Sequence, residues 1–202
     1  MGFPMSNETY RCFLDTETTG LNTRKDQIVE ICLVLEEFDP ARPFIRGNIV
    51  RTFTRKVKPT IKVFEKAAAI NGYTPEAWKY APYFYEIADE VAEILSLATE
   101  IVGHNISYDR GIIEEAMIRC SGHEDFSFYH TIDTATLAYE HWVFPGHISS
   151  RSLTAVTKHL GIEHSKAHSA ESDVFACREV FYRAMEKTLG ISITHQEETK
   201  KQ

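Results

Sequence analysis

Two carboxylates two residues apart, Asp15 and Glu17, close a run that is apolar on both faces, and the period of two of an extended chain points both to one side. Adjacent carboxylates repel. Inside a protein the pair persists if one is protonated or if a cation neutralises both, and hard divalent ions such as Mg²⁺ take oxygen ligands of this kind. Alone, the pair has an equally good bland reading, with Asp15 capping a turn and Glu17 facing water. Two further acids bear on it. Asp173 precedes Ala176, Cys177 and Val180 by spacings that place it on their apolar face in a helix over 169–188. An unpaired carboxylate there costs on the order of several kcal/mol. Asp109 opens another helix, where a carboxylate is also a routine partner of the dipole. His168, five residues before Asp173, would lie about 140° away on a regular helix. It therefore belongs to the loop entering that helix, free to swing over whatever Asp173 helps to bind. His164 competes for any such role, because a lone histidine is more often structural or solvated.

These residues need elements to carry them. Residues 10–15 read as a central strand that TETTG breaks into a turn; 27–38 and 45–58 read as two more strands, together an antiparallel meander. Helical patterns follow over 62–70, stopped by Gly72, again from Thr74-Pro75-Glu76, and over 87–97. A strand over 100–105, a helix over 107–120, a short strand over 129–133 and helices over 134–142, 151–160 and 169–188 complete the pattern. Three strands followed by alternating helices and strands indicate an α/β fold with a mixed five-stranded sheet, helices packed on its faces. One domain over 10–188 is expected, with an extension over 1–9 and a polar tail over 189–202.

Composition narrows the class. With 43% hydrophobic and 25% charged residues, 202 residues bury a core without disulfides or structural metal. The longest apolar run, Ile31 to Leu35, is too short for a bilayer, so no membrane role is expected; no leader pattern is seen, and the expectation is cytoplasmic. Cysteines 12, 32, 120 and 177 form no CxxC pair and read as buried thiols. A net charge of −7 argues against coating long nucleic acid, but not against gripping one chain end; two divalent cations would bring it to −3. Residues 46–66 oppose this, with seven Lys or Arg against Glu65 alone. They suit either a phosphate backbone or a charged edge strand that resists aggregation. The aromatics at 80, 83, 84 and 85 read as a helix junction.

Three segments resemble, in order and spacing, the motifs of the DnaQ-like (DEDDh) 3′-5′ exonucleases, the family that includes the proofreading epsilon subunit of DNA polymerase III. They are Asp15-Thr16-Glu17-Thr18-Thr19-Gly20-Leu21, His104-Asn105-Ile106-Ser107-Tyr108-Asp109 and His168-Ser169-Ala170-Glu171-Ser172-Asp173. Ala68 to Glu76 and Ile132-Asp133-Thr134 are also similar, so the likeness covers roughly 10–186. Tyr108 stands where Phe is common, Asn71 where His is common, and Val174 where Ala is common.

The resemblance implies a ribonuclease H-like fold and phosphodiester hydrolysis with two divalent ions, Mg²⁺ or Mn²⁺. Asp15, Glu17 and Asp173 would hold one, and Asp15, with Asp109 partly through water, the other. His168 would be the general base. Thr18, Thr19, Gly20 and Leu21, with His104, Asn105 and Tyr108, would bind the 3′-terminal nucleotide, Gly20 permitting close approach and Leu21 and Tyr108 flanking the last bases. Single-stranded DNA 3′ ends are the expected substrate and RNA the close alternative, because no motif here encodes a contact to the 2′-hydroxyl. A DNA polymerase is the partner the family suggests, although no long polymerase-binding segment follows the third motif in this sequence. The rival readings are a non-catalytic nucleic-acid-binding or polymerase-accessory subunit, and a structural protein whose acids are surface features.

Overall fold

The computed structural model describes residues 8–120 and 122–190. Residues 1–7 of the expected extension and 191–202 of the expected tail lie outside the described residues. Five strands form one sheet in the order β3-β2-β1-β4-β5: β1 is Thr9–Thr18, β2 Ile28–Phe38, β3 Asn48–Lys56, β4 Ala98–Gly103 and β5 Thr131–Asp133. β1 to β3 are the expected antiparallel meander, and β4 and β5 add in parallel to β1. Helices α1 (Glu65–Asn71), α2 (Phe84–Leu97), α3 (Ile106–Ile118), α4 (Thr134–Ala138), α5 (Leu153–Leu160) and α6 (Ala170–Leu189) surround it.

β1 is central and apolar on both faces. Cys12 and Leu14 point to one side, where Val91, Ile94, Ile112 and Ile113 of α2 and α3 complete a buried cluster. Phe13 points to the other, against Val174, Phe181 and Tyr182 of α6. This alternation decides the site: Asp15 and Glu17 share the parity of Phe13 and emerge toward α6, whereas Thr16 faces α3.

The structure departs from the sequence reading at several ends. β1 does not stop at Asp15. The β-branched Thr16 and Thr18 keep pairing with β2, Glu17 opposite Glu30, with an irregularity only between Glu17 and Thr18. Thr9, assigned to the extension, already belongs to the sheet. β3 starts at Asn48 rather than 45. The helix expected from Thr74 is a chain of turns, short of residues before Pro82 and pinned by Trp78 Nε1, which donates to the Val29 carbonyl at 2.6 Å. The pattern over 134–142 divides into α4 and a π-helical turn, Tyr139–Val143. Gly72 ends α1 as expected, with φ of 68°.

At the end of the sheet away from Asp15, Arg11 and Glu36 face each other in register and are 1% and 0% exposed. Arg178 of α6 donates to Glu36 at 2.5 Å, Arg11 Nε to Glu100 at 2.8 Å, and the Tyr182 hydroxyl also bonds Glu36. This paired cluster ties β1, β2 and α6 together.

Candidate active site

The carboxylates meet where β1 ends beneath the start of α6. Asp173 lies in the first turn of α6, its side chain 13% exposed, and its Oδ1 accepts from His164 Nε2 at 2.5 Å. The backbone N–H of His168 lies 3.3 Å from both Asp173 oxygens. Glu17, His168 and Asp173 each bring a ligand atom within 4.8 Å of the others. Asp109, 4% exposed on α3, reaches the same strand end from the opposite face, its Oδ1 accepting from Thr16 N at 2.9 Å and Thr16 Oγ1 at 2.7 Å. The grip on Thr16 follows from its parity.

The electrostatics are those of a crowded anionic basin. Burial, then Asp109, Asp173, Glu17 and Glu30, push the Asp15 carboxyl well above the usual range. Burial raises Glu17 to about 8, with Asp173, Glu30 and Asp109 adding repulsion. Burial lifts Asp109 to about 7 against the Thr16 hydrogen bonds that hold it down. Glu30 is raised by burial, with Lys56 opposing. A divalent cation removes this repulsion, and an all-carboxylate donor set with one nearby imidazole suits a hard ion. The residues therefore fit the expected metal: Glu17 and Asp173, with the His168 ring, bring ligand atoms together, and Asp15 and Asp109 add their charge beside them.

His168 lies on the loop entering α6, as expected, with a backbone φ of 69° that a non-glycine residue adopts at a cost of about 1–3 kcal/mol. Its side chain is exposed. His164, the competitor, is instead buried, its Nδ1 3.4 Å from Thr157 Oγ1. It supports Asp173 from behind.

The residues expected to bind the nucleotide divide into two groups. Thr18, Gly20 and Leu21, with Glu17, line an open cleft of about 860 Å³ whose far wall is α1 with Phe64 and Ile70. Leu21 is 88% exposed, and Phe64 and Ile70 are exposed as well, an apolar lip beside the carboxylates. Asn105 has an exposed side chain and a left-handed backbone, φ 66°, its N–H held by Asp133. The others turn inward. Thr19 is fully buried, donating to Asp26 at 2.9 Å. Tyr108 donates to the Gly20 carbonyl at 2.7 Å and meets Thr18 Oγ1 at the same distance. His104 has ring nitrogens 2.9 Å from Thr134 Oγ1 and 2.9 Å from the Arg151 carbonyl, and burial lowers its pKa. Both nitrogens are thus used within the protein. Gly20 does permit a close approach, but of protein: a Cβ there would stand 2.6 Å from the Phe64 ring and 2.7 Å from the Asp26 carboxylate.

Sequence reasoning missed Glu30, which faces Glu17 only through the β1–β2 register, and the lip residues Phe64 and Ile70, which no motif marks. Asn71, noted only as a departure, donates from Nδ2 to the Thr18 carbonyl at 3.0 Å and so sets the cleft wall against the β1 end. No helix among the described residues is long and apolar enough to cross a membrane.

Comparison with known proteins agrees with this geometry. The sequence profile of the exonuclease family called RNase T matches residues 12–181. The chain is 27% identical over 175 residues to the 3′-5′ exonuclease DinG of Staphylococcus epidermidis, covering 86% of this chain but 18% of that protein. It is 29% identical over 168 residues to the DNA polymerase III epsilon subunit of Treponema pallidum, covering 83% of this chain and 72% of that one. The zinc-bound complex of E. coli exonuclease I with single-stranded DNA superposes with a TM-score of 0.69 at 22% identity, over 89% of this chain and 41% of that one, a likeness of fold. With its profile matched from β1 into α6 and three motifs meeting at one strand end, the chain belongs to the exonuclease family.

Proposed function

We propose that residues 10–188 are a metal-dependent 3′-5′ exonuclease that removes nucleoside monophosphates from 3′ ends of single-stranded DNA. One observation carries this reading: Glu17, Asp173 and the His168 ring converge within 4.8 Å, with the Asp15 and Asp109 carboxylates crowding the two acids from alongside, at the edge of an open cleft with an apolar lip. Asp15, Glu17 and Asp173 would hold one divalent ion, Mg²⁺ or Mn²⁺, and Asp15 with Asp109, partly through water, would hold a second. Bound cations of this kind supply Lewis acidity, lowering the pKa of a water and stabilising charge on phosphoryl and leaving oxygens.

His168 accepts the proton of the attacking water. Its exposed, strained loop position lets the ring reach a solvent molecule beside Glu17 and Asp173. His164 holds Asp173 in place. Leu21, Phe64 and Ile70 take the terminal base by apolar contact, which is tolerant of sequence. Thr18, Gly20 and Asn105 face the sugar and phosphate. Thr19, Tyr108 and His104 act indirectly, holding the turn after β1 and the end of β4 in shape. The epsilon relative favours DNA as substrate and a polymerase as partner.

The test is a product ladder. Purified chain is incubated with 5′-labelled DNA and RNA oligomers and Mg²⁺ or Mn²⁺, with and without chelator. Stepwise shortening from the 3′ end, faster on DNA and abolished by chelator, is expected. Internal cuts, or cleavage that survives chelation, would overturn the reading; preference for RNA would reassign the substrate.

A further inference from the structure

The cleft beside the carboxylates does not end at Leu21. Leu21, Lys62 and Phe64 also wall a second open cleft of about 890 Å³, whose other side is the loop Asn22 to Asp26. That cleft is basic. Arg24, Lys25 and Lys62 line it, and the acid there, Asp26, is 5% exposed and already accepts from Thr19 and Asn22. Among the described residues no acid lies within ion-pair distance of Arg24, Lys25, Lys62 or Lys66. The cations nearer the start of the same basic stretch are committed elsewhere: Arg46 pairs with Glu179, and Arg51 with Glu90 and Glu93.

Beyond the second cleft lies a third hollow of about 220 Å³. The seam between them is a two-way bond of Gln27 and Thr60, 2.8 and 2.7 Å, and Arg119, on the rim of the hollow, donates to the Arg24 carbonyl at 2.6 Å. The hollow is lined by Lys58, Tyr83 and Tyr85. The two tyrosine rings lie parallel, 5.6 Å apart at 11°, Tyr85 is 64% exposed, and Lys58 Nζ sits 5.4 Å over the Tyr83 ring. Half-buried Tyr83 serves the junction as the N-cap of α2, but exposed Tyr85 stacked on it, with a cation beside the pair, offers what a polynucleotide uses, since bases stack on aromatics and phosphates attract cations.

We propose that these three hollows form one track for single-stranded nucleic acid. The 3′-terminal nucleotide lies at the carboxylates, the next phosphates pass Lys62, Arg24 and Lys25, and a base further toward the 5′ end stacks on Tyr85 and Tyr83. The proposal rests on the exonuclease reading for its direction. It puts Arg24, Lys25 and Lys62, none of them ion-paired among the described residues, on the path of the substrate, and it makes affinity depend on strand length.

The test uses the full chain carrying Asp15→Asn, so that strands are bound but not cut, and fluorescence anisotropy with a thymidylate trimer and dodecamer. The dodecamer is expected to bind at least tenfold more tightly. Arg24→Ala with Lys25→Ala should lower the slope of log K against log salt for the dodecamer by about 1.4, since each phosphate contact to a single strand contributes about 0.7. Tyr85→Ala should weaken the dodecamer roughly tenfold, the size of one stacked base. Tyr85→Ala should leave the trimer within about twofold, a margin well below one stacked base, whereas the double variant should weaken the trimer as well, because the trimer's phosphates pass Arg24 and Lys25. Equal affinity of trimer and dodecamer, or an unchanged salt slope in the double variant, would overturn the track. Separately, the chain with its native Asp15 and Mn²⁺ should hydrolyse thymidine 5′-p-nitrophenyl phosphate, which is too small to reach the track, and the double variant should match it. Failure of that hydrolysis would sink the exonuclease reading while the binding ratio still decides the track.

Discussion

Replacing Glu17 by Gln should stabilise the metal-free protein at alkaline pH and leave it unchanged in mild acid. Glu17 is raised from 4.5 to about 8 by burial and by Asp173, Glu30 and Asp109. The folded state therefore binds more protons than the unfolded state between those limits. Its contribution to stability is fully present below the unfolded value and is lost as pH rises through the folded one. At about 1.36 kcal/mol per pKa unit the full rise corresponds to nearly 5 kcal/mol, and about 4 kcal/mol is a fair working figure for a side chain whose rim still meets water. For a chain of this length each kcal/mol moves Tm by about 2–4 °C, so in chelator the variant should melt about 10 °C above the unmodified protein near pH 8 and level with it near pH 4. Millimolar Mg²⁺ or Mn²⁺ should reverse the order, because ligand binding to the folded state stabilises only the protein that retains the site. Thermal melts at several pH values, with chelator and with metal, give all four comparisons. Parallel pH dependence of the two proteins in chelator would refute the claim that Glu17 sits in a repulsive cluster. A metal response unaffected by the substitution would refute its role as a ligand.

Asp15→Asn should abolish cleavage while the melting curve in chelator shifts upward, since a repelled charge is removed; full Mg²⁺-dependent activity would end the ligand assignment. His168→Ala should lower kcat about 10²- to 10⁴-fold, the usual range for a general base, with metal-induced stabilisation intact; an unchanged rate moves proton transfer to water. Glu36→Gln should cost about 3–5 kcal/mol by denaturant melts, because Arg11 and Arg178 then lose their buried partner. The surviving folded protein should keep its kcat on the mononucleotide ester, which a role in chemistry would not allow.

The meander was legible because β2 is a nearly continuous apolar run and β1 carries one at its centre, and the paired acids because a period of two needs no tertiary information. Asp173 was legible from its spacing to Ala176, Cys177 and Val180, all of which are buried. What escaped depends on register or on partners distant in the chain. Glu30 joins the cluster only because Glu17 pairs with it across the β1–β2 ladder. Arg11 is not legible as a buried charge in an apolar strand because its partners, buried Glu36 and half-buried Glu100, are 25 and 89 residues away. His164 and His168 look alike in sequence; one is buried against Asp173 and Thr157, the other stands in a left-handed loop conformation that no residue type announced. The cleft depends on Phe64 and Ile70, which belong to α1 and become a wall only when Asn71 fastens that helix to the Thr18 carbonyl.

The two charged clusters on β1 have opposite energetics, and that opposition explains how the site survives folding. Arg11 and Asp15 are four residues apart on one strand, roughly 13 Å at the rise of a β-strand. At Arg11 the buried charges are paired and hydrogen-bonded, so they anchor the strand between β2 and α6. At Asp15 like charges are held together, and the protein accepts that repulsion along with the strained backbone of His168. Strain and repulsion persist only where the surroundings over-determine the conformation. Phe13, between the two clusters, supplies that constraint by packing edge-on to Phe181 with ring centres 5.7 Å apart, and Tyr182 beside it belongs to the Arg11 cluster. One strand thus carries an anchor, a packed spacer and a repulsive tip in sequence. Loosening the anchor should therefore reach the tip as a change in metal affinity before it is felt as unfolding.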